Sequence, residues 1–147
     1  MNRFLAAVAA TTFALPVYAG GHLTASGDAE AGEKAFRQCI SCHVVVNDEG
    51  ETLAGKKAKV GPNLFGIVGN NFGTQDFKYS KLVAAANGNA DLIVDEATFV
   101  TYVSDPTAFL KEATGESGRS KMTFKVRKEE DALNLYAFLS SLQGSPE

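Results

Sequence analysis

Cys39-Ile40-Ser41-Cys42-His43 decides how the rest of this chain is read. Two thiols three positions apart, followed at once by an imidazole, form the attachment motif of c-type haem. The spacing follows from the chemistry. Each thiol can add across one of two neighbouring porphyrin vinyl groups to give a thioether, and the adjacent imidazole is then directed at the iron from one face. An oxidised thiol pair of the thioredoxin kind would need a preceding strand and a βαβ context. Here the pair instead ends a helical pattern. A zinc site would need a second pair of ligands, and the chain has only two cysteines.

Upstream of the motif, Arg3 is the only charge before His22 and Asp28. An apolar run from Phe4 to Leu15 follows it, stopped by Pro16, and Val17-Tyr18-Ala19 supplies a small-x-small pattern before Gly20-Gly21. This is the pattern of a secretory leader, too short to span a bilayer as a helix. We expect residues 1–19 to be a leader cleaved after Ala19, and residues 20–147 to form one domain in an exported, periplasmic space. The 147 residues have ordinary globular composition, 45% hydrophobic and 21% charged. A net charge of −3, more negative still without Arg3, argues against nucleic acid as a partner.

Downstream, the reading is helical with long connections. Ser26 or Asp28 can cap a helix reaching about Ile40, whose apolar positions Ala29, Gly32, Phe36, Cys39 and Ile40 recur at three- and four-residue steps. Residues 44–59 read as a surface loop, and Gly61-Pro62-Asn63 as a turn. Further helices are expected over Ser80 to Ala86, Asp95 to Ser104, a short one from Pro106, and Lys128 to Leu142, the last ended by Gly144 and Pro146. Its buried stripe is Leu135, Leu139 and Leu142. No stretch alternates as a strand. Loops this long are uncommon unless something besides secondary structure holds them, and a large apolar cofactor would supply that core.

A second axial ligand is found by elimination. His22 sits near the terminus, and Met122 is the only methionine besides the initiator. It lies between Lys121 and Lys125 in a polar loop, where an apolar filler is out of place. A Met/His pair is the ligation of electron-transfer cytochromes; a lysine or an open position are the alternatives.

From these residues the chain resembles the class I c-type cytochromes, closest to the purple-bacterial cytochrome c2 type, over nearly all of Asp28 to Leu142. The resemblance implies an all-α fold, with N- and C-terminal helices packed across each other and short helices and long loops wrapping one covalent haem c. Gly32 and Phe36 match the first helix, where the glycine admits the last helix near Leu135 and Phe138. Gly61-Pro62-Asn63-Leu64 matches the segment whose proline carbonyl accepts a hydrogen bond from the axial imidazole, which implies that Pro62 orients His43. Tyr79 matches a tyrosine reaching a haem propionate, Tyr102 one near the methionine sulfur, and Pro106 the proline beyond it. In two places the chain departs: Val94 stands where relatives carry a propionate-binding tryptophan, and Asn70 where many carry an arginine.

The function so implied is one-electron transport, without catalysis, between a bc-type complex and a photosynthetic reaction centre or oxidase. A haem enzyme or gas sensor would need Met122 labile; a thiol–disulfide protein would use Cys39 and Cys42 without haem. A monomer docking transiently is expected. Lys121, Lys125, Arg127 and Lys128 bracket the methionine, and Lys34, Lys56, Lys57 and Lys59 flank the loop before Pro62. As a set they would place a positive patch at the haem edge of an acidic molecule, with Lys81 off that face.

Overall fold

Helix α1, Ala29–Ala35, starts where the Asp28 carboxylate accepts the Ala31 N–H at 3.0 Å. Of the two candidate caps, Asp28 holds this position. The computed structural model describes residues 24–143; residues 1–19, read from sequence as a leader, and His22, Gly144 and Pro146 lie outside the described residues. The first helix is shorter than the expected span to Ile40. It tightens into a 3-10 turn at Phe36–Gln38, and His43 N–H then reaches Cys39 O at 2.8 Å, closing another turn. The cause is packing: Phe36, 3% exposed, packs against Phe138 with ring centroids 5.5 Å apart and planes tilted by 53°, and the chain turns immediately after this anchor.

Helices α2 (Lys81–Asn87), α3 (Glu96–Ser104), α4 (Pro106–Thr114) and α5 (Glu129–Leu142) follow. Ser80, Asp95 and Asp105 cap α2, α3 and α4 through their side chains, and Pro106 opens α4 where no intrahelical N–H is needed. Residues 44–59 are not wholly a loop. Val45–Val46 (β1) and Thr52–Ala54 (β2) pair antiparallel as a two-stranded ribbon. None of the helices of the described residues is long and apolar enough to cross a membrane.

The frame is α1 crossed on α5, with α3 against α5 on one side. Gly32 sits at the crossing, where a Cβ would lie 1.9 Å from Asn134 O and 2.7 Å from Phe138 Cβ. Only a glycine lets the backbones approach so closely. Asp28 N–H donates to Asn134 Oδ1 at 2.7 Å, and Ser26 donates to Glu96 from both its backbone and its hydroxyl. Ala132, Leu135, Tyr136, Ala137, Phe138 and Leu139 are buried along α5, a wider face than the three-leucine stripe. Leu142 is only half-buried.

Candidate functional site

The turns after α1 put Cys39, Cys42 and His43 on one wall of a cavity of about 300 Å³. Pro62, Val94, Phe99, Tyr102, Leu135 and Leu139 line it as well, so the surroundings are mainly apolar. His43 is fixed from behind: Nδ1 lies 2.9 Å from Pro62 O, which requires Nδ1 to carry the proton and donate. Nε2 is left as the lone-pair nitrogen. Burial pushes the His43 pKa down, against the Pro62 hydrogen bond that raises it, so the ring is neutral near pH 7.

The Pro62 segment is itself held tightly. Gly61 N–H donates to Cys42 O at 2.7 Å. Asn63 donates to Val46 O at 2.7 Å and accepts from Val46 N–H at 2.9 Å and Phe65 N–H at 3.1 Å. Sequence reading took Asn63 only as part of a turn; its side chain stitches the histidine's support to β1. Gly61 lies against the imidazole, where a Cβ would meet His43 Cε1 at 2.3 Å.

Cys39 and Cys42 are free thiols. Burial, with Cys42 adding to it, raises the Cys39 pKa to about 11. A thiol–disulfide catalyst needs its attacking thiol pushed the other way, so Cys39 is unsuited to that role.

Met122, half-buried, lines the same cavity from the segment between α4 and α5, which has no regular secondary structure. Side chains hold that segment. Ser120, 5% exposed, takes the Met122 N–H on its hydroxyl at 3.1 Å and donates its own N–H to Thr107 Oγ1 at 3.1 Å. Lys125 pairs with Asp105 at 2.5 Å, and Val126 N–H bonds Val103 O at 2.8 Å. Tyr102 stands edge-on to Phe72 and Phe109, centroids 5.0 and 5.9 Å away. Burial pushes its hydroxyl up to about 12, with a Ser120 hydrogen bond opposing. Tyr79 lines the cavity too, its pKa raised by burial and eased by the Gln75 backbone.

Val94 is buried in the cavity lining and has no donor to offer. The Asn70 amide turns away to Gly66 O at 2.5 Å. Asn71 and Gln75 line the cavity, but their amides are engaged with the carbonyls of Asn89 and Phe65. Sequence reading missed both, since neither stands in a motif. The residues therefore fit a haem: two free thiols beside an oriented, neutral imidazole, an apolar chamber, and a thioether in its lining.

Lys121 and Lys125, read from sequence as docking charges, both have intramolecular partners. Lys81, placed off the face, pairs with Glu116 at 2.5 Å.

No protein-family model matches the chain. It is 56% identical over 119 residues to cytochrome c2 of Rhodovulum adriaticum, covering 80% of this chain and 94% of that protein. It is 52% identical over 147 residues to cytochrome c2 of Cereibacter sphaeroides, covering 98% and 97% of the two. Among solved structures, cytochrome c2 from Rhodobacter sphaeroides matches with a TM-score of 0.76 at 52% identity, over 82% of this chain and all of that one.

Proposed function

Because this chain belongs to the class I c-type cytochromes, close to the cytochrome c2 proteins of purple bacteria, we propose that it carries single electrons between membrane complexes of the periplasm. Proteins of this family are electron carriers rather than enzymes, with one covalent haem c, and Cys39 and Cys42 fit the attachment motif. In this reading Cys39 and Cys42 hold the haem, and His43 and Met122 bind its iron. When bound, haem c supplies a one-electron iron couple.

The chain's own residues then account for the rest. His43 presents Nε2 because Nδ1 is committed to Pro62, and that bond makes the imidazole a stronger donor. Two protein ligands leave no position for a substrate. The apolar lining excludes water and favours the less charged, reduced state. The leader over residues 1–19 accounts for export. The hydrogen bond between His43 and Pro62, inside a cavity that Met122 also lines, carries the proposal.

Intact mass of the exported protein should equal residues 20–147 plus one haem. Its ferric form should show the weak near-infrared sulfur-to-iron band, which Met122→Ala abolishes while lowering the reduction potential. A bare-chain mass, or a band that survives the substitution, would overturn the assignment. Docking falls to the exposed charges that flank, in sequence, the cavity-lining residues Val60 (69% exposed) and Phe124 (44%): Lys56, Lys57, Lys59, Arg127 and Lys128. A bc-type complex and a reaction centre or oxidase, presenting acidic surfaces, are the partners proposed, and association should slow as salt rises.

A further inference from the structure

We propose that Gln143 is a positioning residue, a clamp that ties the end of α5 to residues 66–71 and so keeps water out of the cavity they help to wall. The clamp rests on the reading of that cavity as a haem site. Gln143, the residue that ends α5, pairs twice with one partner. Its Oε1 accepts the Val68 N–H at 2.8 Å, and its Nε2 donates to Val68 O at 3.2 Å. The next two residues bond a different neighbour. Gly69 N–H donates to Val94 O at 3.0 Å, and Val94 N–H donates to Asn70 O at 2.9 Å. The segment is therefore held twice, by Val94 through the backbone and by Gln143 through a side chain.

Ile67 and Asn71 of this segment line the cavity, and so does Leu139, one turn before Gln143 on α5. Among the described hydrogen bonds, Gln143 alone joins residues 64–75 to α5 and its cap. Other side chains of the segment are spent elsewhere. The Asn70 amide goes to Gly66 O, and the Asn71 amide to the carbonyls of Asn89 and Leu92, in the stretch that leads into Val94. Without Gln143, residues 66–71 stay fastened to residues 89–94 but can part from α5. The seam so opened leads into an apolar chamber. Water entering there favours the more charged, oxidised iron, because solvent access sets the polarity around a metal and with it the potential.

Gln143→Met tests the clamp, since it keeps the length of the side chain, removes both polar atoms and leaves the net charge unchanged. The holoprotein is read by reduction potential and by amide exchange. The potential should fall below that of wild type. Exchange at the Gly69 and Val94 N–H groups, neither of which bonds Gln143, should quicken about tenfold, the equivalent of about 1.4 kcal/mol for two lost hydrogen bonds. Gly61 N–H, on the His43 side, should exchange as in wild type. Asn47→Ala is the control: it removes neutral side-chain bonds to Glu51 outside the cavity lining, and its potential should equal that of wild type. An unchanged potential in Gln143→Met overturns the clamp. Equal quickening at Gly69 and Gly61 overturns it too, since the whole molecule would then have loosened rather than one seam. The two readings fail differently. A wild-type protein without covalent haem overturns the haem site and the clamp's role in the potential together, whereas a haem-bearing Gln143→Met with an unmoved potential overturns the clamp alone.

Discussion

The two sides of the cavity are built by different means. The wall carrying Cys39, Cys42, His43 and Pro62 is held by backbone hydrogen bonds, by the Asn63 side chain and by α1 packed on α5. The segment carrying Met122 has one backbone bond, Val126 to Val103, and otherwise depends on Ser120, Lys121 and Lys125. Backbone bonds in a part-buried ladder are costly to break, whereas exposed ion pairs are worth little and are screened by salt. Of the two proposed ligands, His43 is therefore fixed by the fold and Met122 by side chains, so the methionine side should be the one that yields first.

Gly61→Ala attacks the firm wall most directly. The new Cβ needs the space 2.3 Å from the imidazole, which cannot retreat while Nδ1 holds Pro62. Denaturant unfolding of the holoprotein should show a loss of about 3 kcal/mol. A loss no larger than that of an exposed substitution would mean that this wall is as pliable as the other.

Asn63→Ala should come next. It removes three hydrogen bonds to β1 and Phe65 from a part-buried site, and about 2 kcal/mol of stability with them. Amide exchange at Val46 and Phe65 should quicken, while the near-infrared band attributed to Met122 persists. If the band is lost instead, the two sides are coupled more closely than their construction suggests.

The smallest effect belongs to Lys125→Met, at the exposed Lys125–Asp105 pair. Lys125, with the Ala108 N–H, holds the Asp105 carboxyl below its ordinary 3.8. A depressed carboxyl contributes stability that is present above the ordinary value and is lost as pH falls through the lowered one. The difference in thermal midpoint between wild type and variant should thus be small near neutral pH and vanish in acid or high salt. A difference that persists in both would assign Lys125 a role other than charge.

Legibility in the sequence divides along similar lines. Local chemistry could be read directly. Asp28, Ser80, Asp95 and Asp105 each stand at the cap that their short polar side chains favour. The Cys39–His43 motif located the cavity, and the family pattern supplied the His43–Pro62 bond and the tight crossing at Gly32. The ribbon went unread because its strands are two and three residues long, too short for alternation to register. The early end of α1 went unread because a distant contact, Phe36 on Phe138, sets it. The engagements of Lys121 and Lys125 went unread for the same reason: their partners lie 43 and 20 residues away, and a lysine on a loop carries no mark of what it touches.

The crossing of α1 on α5 also has a kinetic side. The hydrogen bond from Asp28 to Asn134 joins positions 106 residues apart. Closing a loop that long costs about 4 kcal/mol of chain entropy, beyond a constant, before the contact returns anything. Helix α1, at seven residues, is too short to persist alone and cannot wait preformed for its partner. The two ends of the chain must therefore order and meet in the same event, a high sequence separation for a helical protein and a slow search by that measure. Until they meet, the Cys39–His43 segment, which follows α1 directly, stays accessible, so the topology that locks the finished molecule also prolongs the interval in which its thiols can be reached.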